Sequence, residues 1–150
     1  MSAAPAPTYV LDASVTAGWL LPDEHTAASA RAYARLRRRS LSVRVPELWL
    51  WECSNIVANA VRRMRVDPPD VGALWRVLDA VRQRVEIVVP QAHEVRECLE
   101  LAVEHRLSVY GGAYLWLAAR CHCTLLTHDE QLADAARARG LRACRADDVA

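Results

Sequence analysis

Three acidic side chains stand where catalytic carboxylates are commonly found. Asp12 directly follows the apolar, partly β-branched run Thr8-Tyr-Val-Leu11, and Asp129 closes Thr124-Leu-Leu-Thr-His128-Asp129. Glu52 lies in a helical stretch with Asn55 and Asn59 at i+3 and i+7. That spacing makes a polar stripe amid Leu48, Trp51, Ile56 and Val57. Two strand-end acids and one helix acid, if brought together, form the oxygen-donor set that a hard dication such as Mg²⁺ requires. Each acid alone also has a plainer reading. An Asp after a strand is often a helix cap, Thr127-His-Asp-Glu130 fits a capping box with Asp129 as a first-turn acid, and Glu52 could be solvated or paired with an arginine.

The elements that must position these acids follow from apolar runs and breakers. Short strands are expected at 8–11, 41–45, 85–89, 124–126 and 141–144. Helices are expected at 13–21, stopped by Pro22, at 25–39, at 46–64 with Pro46 in the first position, and from the Asp67-Pro68-Pro69-Asp70 start signal to 84. Further helices are expected at 91–105, 111–121 and 129–139, the last closed by Gly140. Strands alternating with helices predict an α/β fold, a parallel sheet covered on both faces. Its chemistry belongs beyond the carboxyl ends of the strands. Residues 1–7 read as a loose Ala/Pro tail and 8–150 as a single domain.

Composition bounds the function classes. The chain has 150 residues, 53% of them hydrophobic and 25% charged, a globular balance. A net charge of +1 gives no whole-molecule argument for or against nucleic acid. All 19 basic residues are arginine, so any mechanism needing lysine is excluded. Five cysteines, an odd number in element-like positions, suit a reducing cytoplasm better than a disulfide framework. Cys121-His122-Cys123 with His128 matches no usual zinc spacing. No apolar run approaches the length of a membrane span, and no signal-peptide pattern is present.

Four segments, in order, carry a resemblance: Val10-Leu-Asp-Ala-Ser14, Pro46-Glu-Leu-Trp-Leu-Trp-Glu52-Cys-Ser-Asn55, Leu107-Ser-Val-Tyr110 with Ala113-Tyr-Leu115, and Leu125-Leu-Thr-His-Asp129-Glu-Gln-Leu132. Together they are similar to PIN-domain ribonucleases, the VapC-type toxins of bacterial toxin–antitoxin pairs, from about Tyr9 to Leu141. The resemblance implies a three-layer α/β/α sandwich and a Mg²⁺- or Mn²⁺-dependent endoribonuclease. In it Asp12, Glu52 and Asp129 are catalytic and metal-binding, supported by Ser14, Asn55 and Thr127. A metal-activated water would attack an RNA phosphodiester. The resemblance also implies a cognate antitoxin, a homodimer and a cytoplasmic location.

The chain departs from that family at one position. Where an aspartate normally follows the tyrosine matching Tyr110, it has Gly111, followed by Gly112. Exchanging an Asp cap for Gly costs a helix only a few tenths of a kcal/mol, so the fold is expected to survive. Losing a carboxylate that touches the metal should cost at least the roughly 10–100-fold typical of losing a group that only orients such a ligand. Three readings stand: a detoxified variant, a naturally degenerate member, or a missing oxygen supplied by Glu130 or a substrate phosphate. A degenerate PIN domain that binds antitoxin or RNA is the alternative function. Receiver domains and haloacid-dehalogenase-like phosphatases fit worse, because both use a lysine and Asp12-Ala-Ser14 lacks the D-x-D acid. The runs Arg35–Arg39 and Arg62–Arg65 suit helix C-termini as well as RNA phosphates, and Arg39 and Arg44 are candidates for the acidic mouth. Trp49 and Trp51 point about 200° apart on a helix. They are either a buried pair or one core residue and one facing a partner.

Overall fold

The computed structural model describes residues 7–149. Five strands form one parallel sheet: β1 (Thr8–Leu11), β2 (Ser42–Pro46), β3 (Glu86–Val88), β4 (Thr124–Leu126) and β5 (Ala143–Cys144), in the spatial order β3-β2-β1-β4-β5. The register pairs Tyr9 with Val43 on one side of β1 and with Thr124 on the other. Seven helices cover the sheet: α1 (Ala13–Leu20), α2 (Ala27–Arg37), α3 (Leu48–Arg62), α4 (Val71–Arg82), α5 (Ala92–His105), α6 (Val109–Cys121) and α7 (Glu130–Ala138). The chain steps from β1 outward to β3, then returns across the sheet to β4 on the other side of β1. Right-handed crossovers therefore put α1–α4 on one face and α5–α7 on the other, as the contacts of α1 with α3 and of α5 with α6 bear out. The expected α/β/α sandwich is present.

The core explains the choice of residues. Val10 and Leu11 of β1 and Leu125 and Leu126 of β4 are fully buried, as central parallel strands covered on both faces must be. Trp49, Tyr114, Leu115 and Leu117 pack from the two helical layers. The α5–α6 contact is unusually close: a Cβ on Gly112 would lie 2.2 Å from the Cys98 carbonyl oxygen. Only glycine fits there, which accounts for the second member of the Gly111-Gly112 pair.

Several boundaries differ from expectation for identifiable reasons. Pro46 is the last residue of β2 rather than the first of a helix. The Glu47 amide is held by the Val88 carbonyl at 3.0 Å, and α3 begins at Leu48. Asp67 makes no side-chain cap; a 3₁₀ turn over Pro68–Asp70 precedes α4. Helix α6 begins two residues before Gly111, because Ser108 caps it by accepting the Gly111 amide at 3.0 Å. Gly111 is therefore a first-turn residue and replaces no cap. Of the expected tail, residues 1–6 lie outside the described residues. Pro7 continues the pairing of the central strand β1 with β2, its carbonyl accepting from the Ser42 amide at 3.2 Å. Arg44 is paired with Glu86 at 2.9 Å in the middle of the sheet, and Arg39 follows the end of α2, at the edge opposite the acids. Neither lies at the acidic mouth.

Candidate active site

Strands β1 and β4 are adjacent and in register, so the residues that follow them meet. The chain leaves β1 at Asp12, whose amide donates to the Leu126 carbonyl at 3.0 Å, and leaves β4 at Thr127. This is also where the strand order reverses direction, the place where open α/β sheets form their crevice.

A compact network fixes the first acid. The hydroxyls of Ser14 and Thr127 both donate to Asp12 Oδ2, at 2.6 and 2.7 Å. The backbone amides of His128 and Asp129 in turn donate to the Ser14 and Thr127 hydroxyl oxygens, each at 3.0 Å. Asp12 is 7% exposed, and no described side chain donates to its other oxygen. Burial pushes its carboxyl above the ordinary carboxylate range. The two hydroxyls pull it back, and the nearby charge of Asp129 raises it again.

Asp129 is the N-cap of α7, not a first-turn acid beneath a Thr127 cap. Its Oδ1 accepts from the amides of Gln131 and Leu132 at 2.9 and 3.1 Å, while its other oxygen has no donor among the described residues. Capping occupies one oxygen of the carboxylate and leaves the other open, so the cap reading and the donor reading of Asp129 are compatible. Glu52 follows the same pattern. The Tyr114 hydroxyl donates to Oε2 at 2.5 Å and leaves Oε1 without a side-chain donor. Glu52 is half-buried, and burial raises its carboxyl; the Tyr114 bond lowers it, and the charge of Asp12 raises it further.

The charge of Asp129 reaches Asp12 and that of Asp12 reaches Glu52, which links the three acids through Asp12. Among the described residues, however, no three Asp, Glu, His or Cys side chains stand close enough to enclose a metal ion. The donor set suits Mg²⁺ or Mn²⁺ held by few direct carboxylate oxygens, with water and substrate completing the shell, the usual habit of Mg²⁺. It does not form an all-protein cage. Asn55 is exposed and makes no bond to the acids. Asn59 accepts from Arg62 and lines a different cavity from Glu52. Glu130 is paired with Arg145 at 2.7 Å. Gly111 adjoins Tyr110, and a Cβ there would meet Leu107 Cβ at 3.2 Å.

Tyr114 is the site residue that reasoning from acids alone overlooks. It is 1% exposed, so its hydroxyl needs a buried partner, and Glu52 is that partner. The available signal was a tyrosine inside an otherwise apolar helix, because a buried phenol requires an acceptor. His128 was also passed over. Its ring lines a cavity of about 580 Å³ with Ser14, Arg63 and Arg145, and its Nδ1 is buried with no partner among the described residues.

The PIN domain model matches residues 9–138. The chain belongs to the PIN domain family. Ribonuclease VapC3 of Pyrobaculum aerophilum is 29% identical over 129 residues, covering 83% of this chain and 92% of that protein. Among solved structures, PAE2754 of Pyrobaculum aerophilum superposes with a TM-score of 0.70 at 21% identity, over 97% of this chain and 93% of that one. VapBC2 of Rickettsia felis, solved with a DNA fragment from its promoter, gives 0.64 at 15% identity, over 92% and 98%. At these identities the structural neighbours show the PIN fold.

Proposed function

We propose that this PIN domain is a VapC-type endoribonuclease of a type II toxin–antitoxin pair, dependent on Mg²⁺ or Mn²⁺ and weakened by Gly111. One observation carries the reading: Asp12, Glu52 and Asp129 each have one oxygen tied by a neighbour and the other without a side-chain donor. Acids restrained in this way are oriented donors. Asp12 and Glu52, unpaired with any arginine, are held near other negative charge that a cation would relieve. A bound divalent ion would supply an activated water and charge neutralisation at the phosphodiester. The chain's own part is to hold Asp12 through Ser14 and Thr127, to aim Glu52 through Tyr114, and to brace Asp129 on the start of α7.

The relative named Ribonuclease VapC3 supports the ribonuclease assignment. Neighbours titled VapBC2 and FitAcB, the latter from Neisseria gonorrhoeae, support a cognate antitoxin as partner. A homodimer belongs to the same reading. The exposed apolar residues Val95, Leu99 and Val103 run along α5 at i, i+4 and i+8. No helix among the described residues is long and apolar enough to cross a membrane, and the proposed site of action is the cytoplasm, with RNA as substrate. Purified protein with Mn²⁺ and total RNA, run beside the Gly111→Asp form, tests the reading. Restored cleavage by the variant supports it; no cleavage and no growth arrest from either form removes it.

A second reading has its own observation. Gly111 leaves the acid group one carboxylate short of the family pattern, and no three-residue metal enclosure is present among the described residues. A domain that engages antitoxin or RNA without cutting would show partner binding undiminished and no cleavage in either form.

A further inference from the structure

Cys121-His122-Cys123 takes no part in the acid group. It joins the end of α6 to the start of β4, at the opposite end of that strand from Thr127 and Asp129, and both cysteines are free thiols. The helix end fixes the turn between them. The Cys123 amide donates to the Ala118 carbonyl at 3.1 Å and the His122 amide to the Ala119 carbonyl at 3.4 Å, the two bonds of a Schellman cap. His122 is the left-handed residue of that cap, at φ 50° and ψ 37°. A helical turn of either hand sets Cα atoms two positions apart about 5.4 Å from each other. That lies inside the span of roughly 4.4–6.8 Å that a disulfide requires. The cap is made by backbone groups alone, so the spacing does not depend on the state of the sulfurs.

The side chains divide the labour. Cys123 is buried, and its Sγ donates to the Cys121 carbonyl at 3.4 Å while lying in hydrogen-bond contact with the Cys121 sulfur. Burial, with the neighbouring sulfur, pushes the Cys123 thiol up to about 12, so it keeps its proton at neutral pH. Cys121 is only half-buried, and the Arg44 guanidinium of β2 bonds to its sulfur while holding Glu86 at 2.9 Å. A cysteine open to solvent beside a cation is the setting in which a sulfur attacks an electrophile. A second thiol within reach is what converts the product into a disulfide.

We propose that Cys121 and Cys123 form a reversible dithiol–disulfide couple oxidised by hydroperoxides, with Cys121 attacking beside Arg44 and Cys123 resolving. With hydrogen peroxide, the Cys121 sulfur takes one oxygen, the O–O bond breaks, and the thiol proton leaves with the other oxygen as water. The Cys123 sulfur then attacks the resulting sulfenic acid, the S–O bond breaks, and the Cys123 proton leaves with the hydroxyl as a second water. Two electrons pass from the two thiols to the peroxide. Two equivalents of a small thiol such as glutathione return them by exchange and leave as their own disulfide. A bridge closed over one intervening residue and open to solvent at Cys121 belongs to the labile, signalling class of disulfides rather than to structural staples. The couple stands independently of the ribonuclease reading.

The test uses the full chain, reduced, freed of reductant and exposed to hydrogen peroxide at neutral pH. Remaining thiols are then blocked with iodoacetamide, and trypsin, cutting after Arg120 and Arg137, releases both cysteines in one peptide. From the oxidised protein that peptide should appear unalkylated and two hydrogens lighter than its dithiol form. Treatment with glutathione before blocking should return it to the doubly alkylated form. Cys123→Ser should stop at the sulfenic acid, captured by dimedone on Cys121, and Cys121→Ser should give no dimedone adduct on Cys123. Arg44→Met should slow the oxidation about tenfold with an unchanged circular dichroism spectrum. A parent peptide that keeps both thiols, or a disulfide that joins two copies of the chain on a non-reducing gel, overturns the couple. That map is made on the parent chain, so it decides the matter even where a variant folds poorly. A dimedone adduct on Cys123 in Cys121→Ser overturns the order of attack, and an unchanged rate in Arg44→Met overturns the role of the guanidinium.

Discussion

The Thr127 hydroxyl donates to Asp12 Oδ2 at 2.7 Å, joining the ends of two neighbouring strands across 115 positions of sequence. The same oxygen atom of Thr127 accepts the Asp129 amide at 3.0 Å, so one small side chain orients both strand-end acids. Thr127→Val keeps the shape and removes both bonds. Hydrogen bonds to charged groups contribute about 1.5–3 kcal/mol, and the site is buried. The substitution should therefore lower unfolding free energy by about 2 kcal/mol in urea titrations at neutral pH. Ser14→Ala, at a half-buried position, should cost less.

Asp12 should oppose stability at neutral pH. Its carboxyl is raised by burial, so the folded chain holds this proton to higher pH than the unfolded chain does. Unfolding free energy then falls as pH rises from about 4, the ordinary Asp value, up to the raised folded value, and is flat in this group above it. Asp12→Asn removes the charge and keeps the size. Thermal melts should show the variant more stable than the parent at pH 7.5, with the gap closing on acidification toward pH 4. Added Mn²⁺ should raise the melting temperature of the parent and leave that of Asp12→Asn unchanged. A gap that widens in acid would contradict the sign.

The adjacent glycines should behave oppositely. Gly112→Ala places a methyl 2.2 Å from the Cys98 carbonyl oxygen, so α5 and α6 must move apart. Overpacking of this kind costs about 1–3 kcal/mol, and at so short a distance the upper end is expected. Gly111→Ala meets only Leu107 and Ser108 side-chain atoms, at 3.2 Å or more, and gains about 0.5–1 kcal/mol of helix propensity. Denaturation midpoints should drop clearly for the first and change little for the second.

Tyr114→Phe should separate folding from aiming. The ring stays in the core, and Glu52 loses the donor at 2.5 Å. In the Gly111→Asp background, loss of a bond that positions the carboxylate proposed to hold the metal should reduce cleavage by about 10–100-fold. Secondary structure and oligomeric state should match the parent. Equal cleavage by both forms would show that Glu52 needs no orientation from Tyr114.

What the sequence made legible was periodic or local. Thr8–Leu11 and Thr124–Leu126 are short apolar runs ending in polar residues, and both are strands with their acids just beyond. The segment beginning at Pro46 was harder. A proline suits the first turn of a helix and the end of a strand alike, and the deciding contact, Glu47 to Val88, comes from a segment 41 residues away. Ser108 and Gly111 show the same limit: a serine three residues before a glycine is a weak cap signal until the hydroxyl is seen to accept the Gly111 amide. At the site, chemistry alone singled out the acids, while the tie between Tyr114 and Glu52 spans 62 positions and was carried by tertiary packing.

The placement of β1 between β2 and β4 has a consequence for biogenesis. Strand β1 gains its second neighbour only once residues 124–126 have been made, well after β2. A nascent chain shorter than that has neither Asp129 nor the Thr127 hydroxyl, so Asp12 has only Ser14 to hold it and the acid group is incomplete. Completion of the acid group is thereby deferred until β4 and the residues after it have been made, by topology alone.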